Sequence, residues 1–231
     1  MADITVLSTL ATEHAYRDLL PDFERATGHK VATSFTGTVD VKKRIAAGET
    51  FDFLIMASDD IDTFLTSGTL EPGSRADLAS SGVGVAVRAG AAKPDIGTAA
   101  ALTAALLAAQ SIGYSTGPSG NYVLGLFDRF GIAEKIKPKL RLAPTGTFVG
   151  GLIASGEAEI GFQQESELSH FSGIDLVGPL PAEIQKTTIF SSGIATKAKQ
   201  ADAARALAGF LTAPAAAPVF RRYGLQPARQ T

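Results

Sequence analysis

Short β-branched and apolar runs alternate along the chain with longer runs whose apolar residues recur every three to four positions. Ile4–Ser8 reads as a strand, and Thr12–Thr27 as a helix that places Ala15, Leu19, Leu20 and Phe23 on one face and stops at Gly28. A strand over Val31–Phe35 and a helix over Val39–Ala47, closed by Gly48, come next. Phe51–Ala57 is a near-continuous apolar run, the pattern of a strand covered on both faces. The spacing then predicts a short helix over Asp60–Leu65, a strand over Val83–Val87, a helix over Thr98–Ala109, a strand over Ser111–Ser115 and a helix over Pro118–Phe130 with proline in its first turn. Further strands are expected at Leu140–Ala143, Glu159–Gln163 and Thr187–Phe190, and helices at Val149–Ala154, Ala201–Leu211 and Pro214–Gly224.

Alternation of this kind predicts an α/β protein in which mostly parallel sheets are flanked by helices. About eight strands are expected in all. Glycine and other small residues cluster at Ser80–Gly84 and again at Ser191–Gly193, where the chain can cross between two bodies. The expected organisation is a discontinuous first lobe, 1–82 plus 191–231, with a second lobe, 83–190, inserted into it.

Composition narrows the chemistry. The 231 residues carry 21 Lys and Arg against 23 Asp and Glu, a net charge of -2, so no basic field is on offer to nucleic acid. Cysteine and tryptophan are absent, which removes disulfides, thiolate metal sites, a cysteine nucleophile and tryptophan stacking platforms. The three histidines, His14, His29 and His170, share no ligand-like spacing, and no metal or cofactor is expected. No basic-then-apolar leader follows Met1, and the longest apolar stretch, Ala99–Ala109, is too short to span a bilayer. The expectation is a monomer without membrane insertion, periplasmic if a leader has been removed ahead of Met1 and cytoplasmic otherwise.

Small polar residues gather where strands give way to helices: Ser8-Thr9, Thr36-Gly37-Thr38, Ser58-Asp59, Ser115 through Gly120, and Thr145-Gly146-Thr147. Any one of these is an ordinary helix N-cap. Together they fall on the carboxyl edge of the strands, where α/β sheets bind ligands and helix starts offer unpaired N–H groups to an anion. The candidate ligand residues are Ser8, Thr9, Thr38, Lys42, Ser58, Ser115, Ser119, Gly120, Gly146, Thr147, Gln163 and Gln164. Neither a P-loop nor a GxGxxG turn is present, and no GxSxG elbow.

Read through Ile4–Thr9, Ser34-Phe35-Thr36-Gly37-Thr38, Gly48–Asp52 leading into Leu54–Ser58, Gly117-Pro118-Ser119-Gly120 and Ser155–Phe162, the chain resembles the type II periplasmic solute-binding proteins along essentially its whole length. Within them it resembles the branch of the molybdate-binding proteins, which also holds the bacterial aconitate isomerases. The resemblance implies two α/β lobes joined by crossover strands, a ligand cleft between them that closes by hinge motion, and an ABC transporter permease as partner. It implies oxyanion contacts at Ser8, Thr38, the backbone near Ser119, the backbone near Gly146-Thr147, and Gln164. Gln164 stands where molybdate binders typically have tyrosine, Thr38 where serine is usual, and Asp40, Lys42 and Lys43 add charge. Amides and a nearby lysine suit a carboxylate ligand larger than a tetrahedral oxyanion. The expectation is a solute-binding protein for a small carboxylate or oxyanion; the alternative that the resemblance implies is an enzyme that interconverts cis- and trans-aconitate by a proton shift, with His14, Asp59, Glu165 and Glu167 as the candidate bases and nothing in the sequence to choose among them.

Overall fold

The computed structural model describes residues 1–228. The chain opens with β1 (Asp3–Thr9), a 3-10 turn, α1 (Glu13–Thr27), β2 (Lys30–Thr36), α2 (Thr38–Ala46), β3 (Phe53–Ala57) and α3 (Ser58–Thr66). The long strand β4 (Ala76–Arg88) leads into α4 (Ala99–Ala108), β5 (Ile112–Tyr114), α5 (Pro118–Arg129), α6 (Ala133–Ile136) and β6 (Leu140–Leu142). There follow α7 (Val149–Ser155), β7 (Ile160–Gln164), α8 (Glu165–Leu168) and β8 (Ile174–Pro179). The chain ends with β9 (Thr187–Ile194), α9 (Ala201–Thr212), α10 (Ala217–Arg222) and β10 (Gln226–Pro227). It divides into two compact units, Met1–Ser81 with Thr188–Thr231, and Gly82–Thr187.

In the first unit β1 pairs in parallel with β2 and β3, and β9 joins β3 antiparallel. β10 lies antiparallel to the opening half of β4. The side-chain period of two explains why β3 is apolar throughout: Phe53, Ile55 and Ala57 enter the cluster built on α1 and α9, while Leu54 and Met56 enter the cluster on the opposite face with Val41 and Ile61. Asp52, only 3% exposed, ties the unit together just ahead of β3. One of its oxygens accepts from the Thr5 N–H and hydroxyl, both at 2.8 Å, and the other from the N–H groups of Lys199 (2.7 Å) and Gln200 (3.0 Å). Burial alone would push this carboxyl up, but the four donors outweigh it and hold the group below its ordinary pKa.

In the second unit β5 pairs in parallel with β6 and β7, and β4 runs antiparallel to both β7 and β8. Alternate residues again divide between two layers. Val83, Val85 and Val87 of β4 pack with Ile160, Phe162, Val123 and Phe127, whereas Ala86 faces Val149 and Ile153 of α7.

The sheets are less parallel than strand–helix alternation implies. β4 and β9 do not arrive through a helical crossover from a neighbouring strand, so nothing requires them to run with it. The strands β8 and β10 and the short helices α6 and α8 lie outside the elements expected from sequence: β10, α6 and α8 are too brief to show a period, and β8 is half-buried along nearly its whole length with no alternation of apolar and polar positions. Pro214–Gly224 is not one helix but a 3-10 turn over Pro214–Ala216 followed by α10. Pro218 has no N–H to bond back across that break.

Candidate functional site

Because β1, β2 and β3 are mutually parallel, their carboxyl ends share one edge of the first unit. Ser8 and Thr9 end β1 buried; Ser8 Oγ donates to the Thr9 carbonyl at 2.9 Å. Thr9 Oγ1 is buried with no hydrogen-bond partner. So is Oγ1 of Thr12, which precedes α1 and was not among the expected ligand residues. The signal that could have found it is its place at the start of the first helix, where a hydroxyl ordinarily caps. Thr38 opens α2 and Ser58 opens α3, both half-buried. Lys42, one turn into α2, is ion-paired with Asp60 of α3. Asp59 is exposed. His14 lies on α1 with its ring stacked on Tyr223, centroids 6.1 Å apart.

In the second unit β5, β6 and β7 likewise share a carboxyl edge. Past β5, Ser115 Oγ accepts from the Gly117 N–H at 3.3 Å, and Ser119 and Gly120 are buried in the first turn of α5. That turn sits hard against the strand end. A Cβ on Gly120 would fall 1.7 Å from the Ser115 carbonyl oxygen, so only glycine allows the approach. Past β6, Gly146 takes a left-handed φ of 79° in the turn before α7, and Thr147 Oγ1 donates to the Pro144 carbonyl at 2.7 Å.

Past β7, two of the expected residues are committed to holding the helices. The Gln163 oxygen accepts from the Val149 N–H at 2.7 Å, and its amide donates to Glu167 at 2.9 Å. The other Glu167 oxygen accepts from the Gln164 N–H at 3.2 Å, which caps α8. Gln164 is 1% exposed. Glu165 differs from its neighbours. It is half-buried, and desolvation pushes its carboxyl above the ordinary range.

The polar residues at these junctions are mostly not N-caps. At the starts of α1, α2, α3 and α5 the N-cap positions are Thr12, Gly37, Ala57 and Gly117, and none provides a side-chain acceptor. By contrast α4, which does not follow a parallel strand, is capped by Thr98, whose hydroxyl accepts from the Ala101 N–H at 3.1 Å. Helix starts without a side-chain acceptor keep N–H groups and partial positive charge for an anion. Among the described residues no group of three or more His, Asp or Glu is placed to hold a metal ion, and no single helix is long and apolar enough to cross a membrane.

Comparison with known proteins agrees with this architecture. The model of the bacterial extracellular solute-binding protein family matches residues 4–226. An aconitate isomerase from a Pseudomonas species is 38% identical over 230 residues, covering 97% of this chain and 87% of that protein. A molybdate-binding protein from Azotobacter vinelandii is 30% identical over 218 residues, covering 90% and 83%. The solved periplasmic molybdate-binding protein of Azotobacter vinelandii shares the fold, with a TM-score of 0.77 at 19% identity over 99% of this chain and 100% of that one. Matched from its first strand to its last, the chain belongs to the bacterial extracellular solute-binding protein family.

Proposed function

We propose that this protein binds a small anion of the carboxylate class. The observation that carries the reading is the contrast at the helix starts. At the starts of α1, α2, α3 and α5 the N-cap residues Thr12, Gly37, Ala57 and Gly117 give the first turn no side-chain acceptor, and buried hydroxyls lie beside two of these starts, that of Thr9 just ahead of α1 and that of Ser119 in α5. Donors arranged in this way stabilise negative charge without a cation. In the transport role common to the family, the loaded protein would deliver its ligand to an ABC transporter permease. The carboxylate class is favoured over a tetrahedral oxyanion by the relatives: identity to the aconitate isomerase is 38%, against 30% to the molybdate-binding protein.

The test is a thermal-shift series with molybdate, tungstate, sulfate, citrate, cis-aconitate and trans-aconitate. A ligand at about 100 times its Kd adds about 2.7 kcal/mol of stability. At this chain length that raises the melting temperature by about 5–11 °C. The expected result is a rise with a polycarboxylate. A rise with molybdate or tungstate alone overturns the reading.

A second reading, an isomerase acting on aconitate, is favoured by one feature. A protein that only holds anions gains nothing from a half-buried carboxylate on the same strand edge as its donors, because like charges repel. Glu165 is such a group, and an enzyme that moves a proton needs one.

A further inference from the structure

Glu165 follows β7 directly and begins α8, on the edge that carries the ends of β5 and β6. Its side chain lies over β4 in a trough made by two glycines. A Cβ on Gly82 would stand 2.8 Å from Glu165 Oε2, and a Cβ on Gly84 would stand 3.0 Å from its Cγ. The other side chains nearest those two Cβ positions are Leu176 of β8 and Gln185. Neither carries charge. Gln185 is engaged by the strand itself: its oxygen accepts from the Val83 N–H at 2.9 Å, and its amide donates to the Val83 carbonyl at 3.0 Å. No hydrogen bond or ion pair reaches the Glu165 carboxylate among the described residues, and burial is the one influence that moves its pKa. The neighbouring acid is in the opposite condition, since both Glu167 oxygens accept hydrogen bonds from Gln163 and Gln164. Asp59 is exposed at the start of α3, and the His14 ring is stacked on Tyr223. Of the acids and bases named from sequence, Glu165 alone is partly desolvated, without a partner and placed at a strand end.

We propose that Glu165 is the proton carrier of an aconitate isomerisation, positioned by the side-chain-free surface of Gly82 and Gly84; the proposal rests on the isomerase reading above. The Glu165 carboxylate takes a proton from the methylene carbon of cis-aconitate. As that C–H bond breaks, its electron pair forms a double bond to the central carbon. The pair of the former double bond shifts to the vinylic carbon and delocalises into the carboxylate attached there. Protonated Glu165 then gives its proton to that carbon, the new C–H bond forms, and trans-aconitate results with Glu165 returned to its charged state. Atoms and electrons balance with no co-reactant. A partly desolvated carboxylate is suited to the exchange, because it is a stronger base than an exposed one, while the carbanionic carbon is more basic than any carboxylate and so takes the proton back.

The experiment compares the wild-type protein with Glu165→Gln. Each is incubated with cis-aconitate in heavy water and followed by proton NMR, and trans-aconitate binding is read in parallel by thermal shift. The expected result is conversion with solvent deuterium uptake in the wild type, a loss of both by about 100-fold or more in Glu165→Gln, and a ligand-induced thermal shift retained in the variant. Conversion by Glu165→Gln within tenfold of wild type overturns the role of Glu165 and leaves the isomerase reading standing. A wild-type protein that neither converts aconitate nor exchanges its protons overturns both. Gly82→Ala tests the positioning. Its methyl group presses on Glu165 Oε2 and on the end of Gln185. A lower kcat with KM within twofold of wild type supports the trough, and an unchanged kcat overturns it.

Discussion

Replacing Gly120 with alanine isolates the tightest contact in the second unit. The added methyl group would lie 1.7 Å from the Ser115 carbonyl oxygen, 2.6 Å from its carbon and 3.1 Å from its nitrogen. Side-chain carbons essentially never approach a heavy atom closer than 3.0 Å, so the gap falls about 1.3 Å short. No rotamer change relieves it, because every atom it meets is backbone. Either the first turn of α5 lifts away from β5 or the strand end unravels. Overpacking that a core can absorb costs about 1–3 kcal/mol, and a clash of backbone on methyl belongs at the upper end. At about 2–4 °C per kcal/mol, the melting temperature should fall by about 6–12 °C. Gly125 supplies a control from the same helix. It is exposed, and a methyl group added there would meet nothing within 4 Å, so Gly125→Ala should stabilise by about 0.5–1 kcal/mol through reduced chain entropy. Thermal unfolding by circular dichroism reads both variants. A Gly120→Ala protein that melts within 1 °C of wild type would refute the contact, and with it the account of why the start of α5 sits where it does.

Two further outcomes follow from buried carboxylates. Asp52→Asn sets an amide donor against N–H and O–H donors and should cost about 3 kcal/mol at pH 7. Because the folded-state pKa of Asp52 lies below its ordinary value of about 3.9, its contribution is complete above that value and is lost as pH falls toward the folded one. The stability gap between wild type and Asp52→Asn, measured by urea unfolding, should therefore narrow from pH 6 to pH 3, and a constant gap would contradict the reasoning. Gln163→Glu keeps the acceptor for the Val149 N–H but sets a second carboxylate oxygen where an amide now lies 2.9 Å from Glu167. The pair must share a proton, which raises a folded-state pKa, so this variant should be most stable at acidic pH and lose stability as pH rises; melting temperatures that track wild type from pH 5 to pH 8 would count against it.

The strand-to-helix order, the two-faced burial of Phe53–Ala57 and the gathering of hydroxyls at the junctions were legible in the sequence, because each rests on the local period of the chain. The family followed from the same stretches. Ser8, Thr38, Ser58, Ser115 and Ser119 do fall on the edges where parallel strands end. The sequence could not tell a cap from a free donor. Thr98 caps and Thr12 does not, though both are threonines at the start of a helix, because Thr98 has the extended backbone a cap requires (φ -137°, ψ 161°) while the 3-10 turn ahead of α1 leaves Thr12 near-helical (φ -103°, ψ -2°). Nor could it separate the four polar residues from Gln163 to Glu167 other than serine. Only the packing of α7 against β7 brings the Val149 N–H to Gln163 and leaves Glu167 answering two donors. Glu165 is defined by residues some eighty positions earlier and twenty later, Gly82, Gly84 and Gln185, which the antiparallel run of β4 beside β7 and β8 brings beneath it. Periodicity along the chain determines which residues are buried and where helices begin. Which buried polar groups satisfy one another is decided across strands, by contacts that no local pattern encodes.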